Sequence, residues 1–210
     1  MRSVTVFAPA TVANVGSAFD VLGFAVAHPG DTVTARAQPQ AGVTISEISG
    51  DNGVLSRDPQ ANTAGVSVLA LLKHLSEKGA STYSSAGIEL SLQKGLPIGS
   101  GLGSSSASTV AAVVAANELL GAPLSREALL PFAMEGERVA CGAAHADNVA
   151  PALLGGFILI RSYNPLDVVY LPTPPGAWVT VVLPELELKT QDARKVLKRS
   201  VALELSLIHI

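Results

Sequence analysis

An α+β fold is predicted for this 210-residue chain by three observations. Runs with antiparallel-style strand alternation cluster in its first third, apolar residues recur at helical spacing further on, and the composition is that of a compact globular protein. Hydrophobic residues make up 48% of the chain and charged residues 15%, too apolar for disorder and long enough to bury a core.

Each element has its own signal. Ser3–Phe7 alternates and reads as a strand, followed by an irregular glycine-containing loop over Ala8–Asp20. Val21–Ala27 is apolar enough for a buried strand, and Thr32–Ala37 and Val43–Ser49 read as strands separated by Pro39-Gln40-Ala41-Gly42. Val66, Leu69, Leu72 and Leu75 place a helix over Asn62–Lys78, ending near Gly79. Gly87–Leu92 is a strand leading into a glycine-rich loop, and Ser108–Leu120, rich in Ala and Val, reads as a buried helix. Ser125 can cap a helix running to about Cys141 and bent at Pro131. Phe157–Arg161 and Val168–Leu171 read as strands. Pro172-Thr-Pro-Pro-Gly176 marks a domain boundary, after which Trp178–Leu183 opens a strand and Asp192–Leu203 a helix. The division is therefore a domain over 1–172, an incomplete second domain over 177–204, and a tail. Leu205-Ser-Leu-Ile-His-Ile210 matches the in-frame translation of a transposase sequencing adapter. Residues 205–210 are expected to be a scar, with His209 carrying no function and the natural protein longer.

Several function classes are excluded. A net charge of −3 leaves no footprint for nucleic acid or an anionic membrane, and Arg194, Lys195, Lys198 and Arg199 are too short a basic group to change that. Gly95–Asn117 has no charge, but nine of its 23 residues are Gly or Ser, and its apolar part is too short to span a bilayer. Pro9 breaks the N-terminal apolar run, which argues against a signal peptide. One cysteine, Cys141, rules out a disulfide framework and a cysteine-based zinc site. A cytoplasmic protein is the default expectation.

The most chemically pointed segment comprises Pro97, Ile98, Gly99, Ser100, Gly101, Leu102, Gly103, Ser104, Ser105, Ser106 and Ala107. Three glycines let backbone N–H groups converge, three serines supply hydroxyls, and a helix N-terminus behind them brings free amides and a positive dipole end. That combination makes an anion site, most often for phosphate. It is neither a Walker A loop nor a Rossmann fingerprint. Asn14 and Asp20 flank a short loop that either holds a small polar ligand or caps its own turn. Glu135 and Glu137 lie two apart, so on a helix at most one faces a site. A carboxylate there would most economically hold Mg²⁺ beside a phosphate cradle, and alone either residue is more often surface. His145, Asp147 and Asn148 form a polar cluster at the entrance to a buried strand. Arg194 could grip a carboxylate bidentately or lie on a solvated helix face.

Together these segments resemble the GHMP kinases, and within that superfamily the homoserine kinase branch. The glycine loop is similar to the superfamily's phosphate-binding motif, and Asn14-Val-Gly-Ser-Ala-Phe-Asp20-Val-Leu-Gly to the branch's substrate loop. Glu137 with His145-Ala-Asp-Asn-Val-Ala-Pro-Ala-Leu-Leu-Gly-Gly156 resembles its signature, and Lys189-Thr-Gln-Asp-Ala-Arg194 its carboxylate-contacting segment. The resemblance implies a ribosomal protein S5 domain 2-like N-terminal domain followed by the start of a ferredoxin-like domain. It implies ATP on the glycine loop and Mg²⁺ on Glu137 and Ser105. Asn14, Asp20, His145, Asn148 and Arg194 would line a homoserine pocket, with Asp20 on the substrate ammonium and Arg194 on its carboxylate. Related kinases use an Asp where Asn148 stands, and the adjacent Asp147 is expected not to be an essential base. Two departures stand out. Ser17-Ala18 replaces a Pro-Gly-like pair, and the glycine-rich third motif and a second carboxylate-binding Arg are missing. The chain is thus expected to be shortened by about a third, leaving a sheet edge exposed. Its partners would be L-homoserine and ATP, with no nucleic acid or membrane and with room for a homodimer at full length. Another small-molecule GHMP kinase and a nucleotide-binding module without transfer activity are the competing readings.

Overall fold

The computed structural model describes residues 2–78, 81–142, 144–182, 196 and 200. Its elements are β1 (Ser3–Ala13), β2 (Leu22–Ala37), β3 (Gly42–Ser49), α1 (Thr63–Glu77), α2 (Ser81–Ser84), β4 (Gly87–Gln93), α3 (Ser104–Leu119), α4 (Leu130–Cys141), α5 (Val149–Leu154), β5 (Phe157–Tyr163) and β6 (Leu166–Leu171). Six strands form one mixed sheet in the order β3-β4-β2-β5-β6, with β1 also paired to β2. The β3–β4 pair is parallel and the other pairs are antiparallel. The long strand β2 organises the sheet, since β4 pairs with its C-terminal half and β5 with its start.

Helix α3 packs against β1 and β2, with α1, α4 and α5 around it. Of its sixteen residues only Ser105 and Glu118 escape burial. A helix buried on all sides has no polar face, which accounts for its Ala/Val composition. Asn62 caps α1 through its side-chain oxygen, which accepts the Ala64 N–H at 3.0 Å. Val68, Leu71 and Leu75 then enter the same core as Val33, Leu90 and Val113.

Several sequence expectations need correction. The segment Ala8–Ala13 is strand, not loop: β1 runs on through a register shift between Pro9 and Thr11, where the missing N–H of proline does not break a regular ladder. The two strands expected over Val21–Ala27 and Thr32–Ala37 are one strand, β2. The central helix begins at Ser104 rather than Ser108. Pro131 lies in the first turn of α4, where its missing N–H costs nothing, so it bends no helix. A short 3₁₀ turn over Glu127–Leu129 precedes α4, and Ser125 accepts the Ala128 N–H at 3.4 Å. Val149–Leu154, beside the polar cluster, is the helix α5 and not a strand. Trp178–Val182 forms no strand. Apart from 177–182, 196 and 200, the expected Asp192–Leu203 helix and ferredoxin-like domain start lie outside the described residues, as does the 205–210 scar.

Gly23 fixes how β2 meets the polar cluster: a Cβ there would lie 1.8 Å from the Asp147 carbonyl oxygen. Gly23→Ala should therefore force a backbone shift and destabilise the fold by about 1–3 kcal/mol in urea denaturation. An unchanged midpoint would contradict this close approach.

Candidate active site

The glycine-rich loop leaves β4 and enters α3. Gly99, Gly101 and Gly103 have φ of +72°, +72° and +66°. Gly103 is the most constrained, because a Cβ there would lie 2.1 Å from Thr11 Oγ1 and 3.0 Å from Asn148 Oδ1. The crown of the loop is exposed, while the helix behind it is buried. The free amides of the first turn of α3 therefore open towards the loop, where they favour an anion.

The base of the loop is held by a buried ion pair between Lys94 and Asp31, whose side chains are 2% and 1% exposed. Lys94 Nζ also donates to the Ser104 carbonyl at 2.9 Å and to Ser108 Oγ at 2.6 Å. Asp31 Oδ2 accepts from Ser108 Oγ at 2.8 Å, and its Oδ1 accepts the Gly95 and Leu96 N–H groups at 3.0 and 3.1 Å. Burial pushes the Lys94 ammonium below its ordinary range, and the facing Asp31 carboxylate opposes that shift.

A second group sits at the mouth of α3. Gly136 lets α4 come close, since a Cβ there would lie 2.5 Å from the Thr63 carbonyl oxygen. Glu137 is thereby brought to the first turn of α3 and is only 5% exposed. The Ser105 hydroxyl lies 3.0 and 3.1 Å from its two carboxylate oxygens, and Ser106 donates to Oε2 at 2.6 Å. Glu135 points elsewhere, pairing with Arg138 at 3.1 Å on the surface. The pair thus divides as helical geometry requires. A carboxylate with two hydroxyls is a hard-oxygen set suited to Mg²⁺. Among the described residues no group of three or more His, Cys, Asp or Glu side chains is arranged to hold a metal. An ion here would need ligand phosphates to complete its shell.

The third group joins the Asn14–Asp20 loop to the segment before α5. Asn14 and Asp20 have φ of +55° and +60°, and Asn14 Oδ1 accepts the Asp20 N–H at 2.8 Å. The Asn14 carbonyl is therefore occupied in shaping its own turn. His145 Nδ1 stands 3.7 Å from Asp20 Oδ1, each side chain 27% exposed. Tyr163 donates to the Asp20 carbonyl at 2.8 Å and accepts the Ala146 N–H at 3.2 Å, stapling the two segments together. Asp147 is buried and accepts the Asn148 N–H at 3.2 Å. Desolvation, then the nearby Asp20 charge, raises its pKa, with His145 opposing. Thr11 Oγ1 donates to Asn148 Oδ1 at 2.7 Å and Thr11 N–H to the Leu102 carbonyl at 3.0 Å, so Thr11 links Asn148 to the glycine loop.

The structure thus brings together the loop, Ser105, Glu137 and Asn148, with Asn14, Asp20, His145 and Asp147 alongside. Arg194 lies outside the described residues. Hollows of about 390 Å³ beside His74 and Phe132 and about 560 Å³ beside Arg36 and Glu89 contain none of these residues. Chemistry, not concavity, marks the site. Sequence reasoning missed Thr11, Asp31, Lys94 and Tyr163. A charge at Asp31, next to the strand alternation of Thr32–Ala37, was an available signal, whereas nothing local distinguishes Tyr163.

Residues 66–156, which include the glycine loop, Glu137 and Asn148, match the family described as GHMP kinases N terminal domain. Over those 91 residues the chain is similar to a GHMP kinase N-terminal domain. It is 49% identical over 208 residues to a homoserine kinase of Chlorobium phaeobacteroides (strain BS1), covering 97% of the chain and 65% of that relative. It is 51% identical to the homoserine kinase of Chlorobaculum tepidum, again over 97% of the chain and 64% of the relative. The crystal structure of homoserine kinase from Cytophaga hutchinsonii superposes with a TM-score of 0.92 at 52% identity, covering all of this chain and 64% of that one. The α+β architecture of this domain is therefore shared with solved relatives, and the chain spans about 65% of the length of the curated relatives it matches.

The raised Asp147 pKa carries a stability consequence. A carboxyl whose folded value lies above its unfolded one costs nothing below the ordinary Asp value of 3.8, and destabilises increasingly as pH rises through the folded value. Asp147→Asn should raise the melting temperature at pH 7.5, with the gain shrinking towards pH 4. An equal or lower melting temperature at pH 7.5 would contradict the shift.

Proposed function

We propose that this chain carries a GHMP kinase domain, binds ATP on the Gly99–Ser106 loop and belongs to an enzyme that transfers the γ-phosphoryl group to the side-chain hydroxyl of L-homoserine. The observation that carries this reading is Thr11, which bonds the Leu102 carbonyl of the loop and Asn148, the neighbour of Asp147 in the cluster holding Asp20 and His145. Donor and acceptor subsites are thus contiguous. Identity near 50% to proteins named homoserine kinase supports the choice of acceptor. On this reading residues 1–172 are the nucleotide-binding domain and 177–204 open a second one, in a cytoplasmic enzyme. No helix among the described residues is long and apolar enough to cross a membrane.

Each group then has a task. The amides of the loop and of the first turn of α3 hold the phosphates. Glu137, oriented by Ser105 and Ser106, would hold Mg²⁺ together with Ser105. When bound, that ion would supply neutralisation of the phosphate charge. Asp20 faces the substrate ammonium with His145 beside it, Asn14 keeps that loop in shape, and Arg194 is the candidate for the carboxylate. Asn148 positions the acceptor hydroxyl. Phosphoryl transfer depends mainly on alignment and charge stabilisation, so no strong base is required. Asp147, buried with its carboxyl hydrogen-bonded to the next residue's amide, is poorly placed to act as one.

The test is ADP release with homoserine, serine, shikimate and mevalonate, run on the chain and on a chain extended to its relatives' length. Homoserine-specific turnover is expected, and Asp147→Asn should keep it within about tenfold. Turnover on another acceptor, or none by the extended chain, would overturn the assignment. A loss of several orders of magnitude in Asp147→Asn would make Asp147 the base.

A further inference from the structure

We infer that Asp31, Lys94 and Ser108 are positioning residues that preset the glycine loop for the phosphate chain of a nucleotide before the ligand arrives. The inference rests on reading that loop as the ATP site. Both ends of the loop are tied to one ion pair. Where the chain leaves β4, Asp31 Oδ1 takes the amides of Gly95 and Leu96. Where it enters α3, Lys94 Nζ takes the Ser104 carbonyl. Ser108 closes the circuit, accepting from Lys94 and donating to Asp31, and Ser104 Oγ reaches the Leu96 carbonyl at 3.4 Å. The backbone of Lys94 is itself pinned, donating to the Ser49 carbonyl at 2.8 Å.

Between these anchors the exposed crown has little to define its shape. Leu102 N–H reaches Ser100 Oγ at 3.4 Å, and the Leu102 carbonyl accepts the Thr11 N–H at 3.0 Å. The geometry of the crown is therefore set largely by where its ends are held. The side chains of Asp31 and Lys94 are too deeply buried to touch a ligand, so their influence is indirect. A buried ion pair is also a poor source of stability, because apolar residues of similar volume often serve as well. Direction is what the pair supplies: three donors on Lys94 and both oxygens of Asp31 are aimed at named groups on the two sides of the loop.

Ser108→Ala removes the closing hydroxyl without adding bulk. Ser67→Ala is the control, since Ser67 is another fully buried hydroxyl whose partners are the Ala64 and Thr109 carbonyls and which bonds neither Asp31 nor Lys94. Hydrogen exchange of the ligand-free chain and calorimetric titration with Mg·ADP are the two readouts. In Ser108→Ala, the hydrogen-bonded amides at the two ends of the loop, Gly95, Leu96 and Ala107, should exchange about tenfold faster while those of β2 and β4 are unchanged. Affinity for Mg·ADP should fall about three- to tenfold, the equivalent of one hydrogen bond. Ser67→Ala should change neither. If wild type binds Mg·ADP and Ser108→Ala matches Ser67→Ala in both readouts, or loosens the whole sheet uniformly, the positioning role is overturned while the ATP reading stands. If wild type itself does not bind Mg·ADP, the ATP reading fails and this inference fails with it.

Discussion

The contact between Asp31 and Lys94 constrains the rest of the site. Placing two charges in a dry interior costs several kcal/mol per ion, and removing one partner of such a pair costs about 3–5 kcal/mol. The pair is tolerable because every polar hydrogen and both carboxylate oxygens find partners, including Ser104 and Ser108 on α3. Those partners dictate where α3 begins. Once α3 is fixed against β2, its first turn faces the loop, and Gly136 lets α4 bring Glu137 to that same turn.

Electrostatics divides the site in two. Around α3 the free amides, the buried Glu137 and the serine hydroxyls form a region suited to a phosphate and its counter-ion. Beside it, the half-buried Asp20 and His145 and the buried Asp147 form a cluster with two carboxylates and one imidazole. Such a cluster favours a cationic group, as an amino-acid ammonium would be. Thr11 forms the seam, bonded on one side to the Leu102 carbonyl of the loop and on the other to Asn148, and Gly103 leaves no room there for a Cβ.

Legibility in the sequence followed interaction range. The glycine loop was readable because its chemistry is local: three glycines, three serines and a helix start lie within one short stretch. The Glu135–Glu137 pair was half readable, since helical periodicity separates the two but does not say which faces inward; the packing of α4 beside α3, which brings Glu137 to Ser105 and Ser106, decides it. Strand β1 was misread past Phe7 because proline within an apolar run signals a break, and the register shift opposite β2 that accommodates Pro9 is a tertiary feature. Val149–Leu154 was misread because a six-residue apolar run carries no period. Asp31 and Lys94 were invisible as a pair, for they stand 63 residues apart and meet only when β2 and β4 align.

The most direct measurement is a pair of crystal structures of the chain, ligand-free and with Mg·ADP and homoserine. A preset cradle requires the diphosphate on the loop amides and the metal at Glu137. It also requires an intact Asp31–Lys94 pair, and Cα positions over 99–103 that agree between the two structures to within about 1 Å. A nucleotide bound elsewhere, or a loop that rearranges by several ångströms as the ion pair separates, would contradict it.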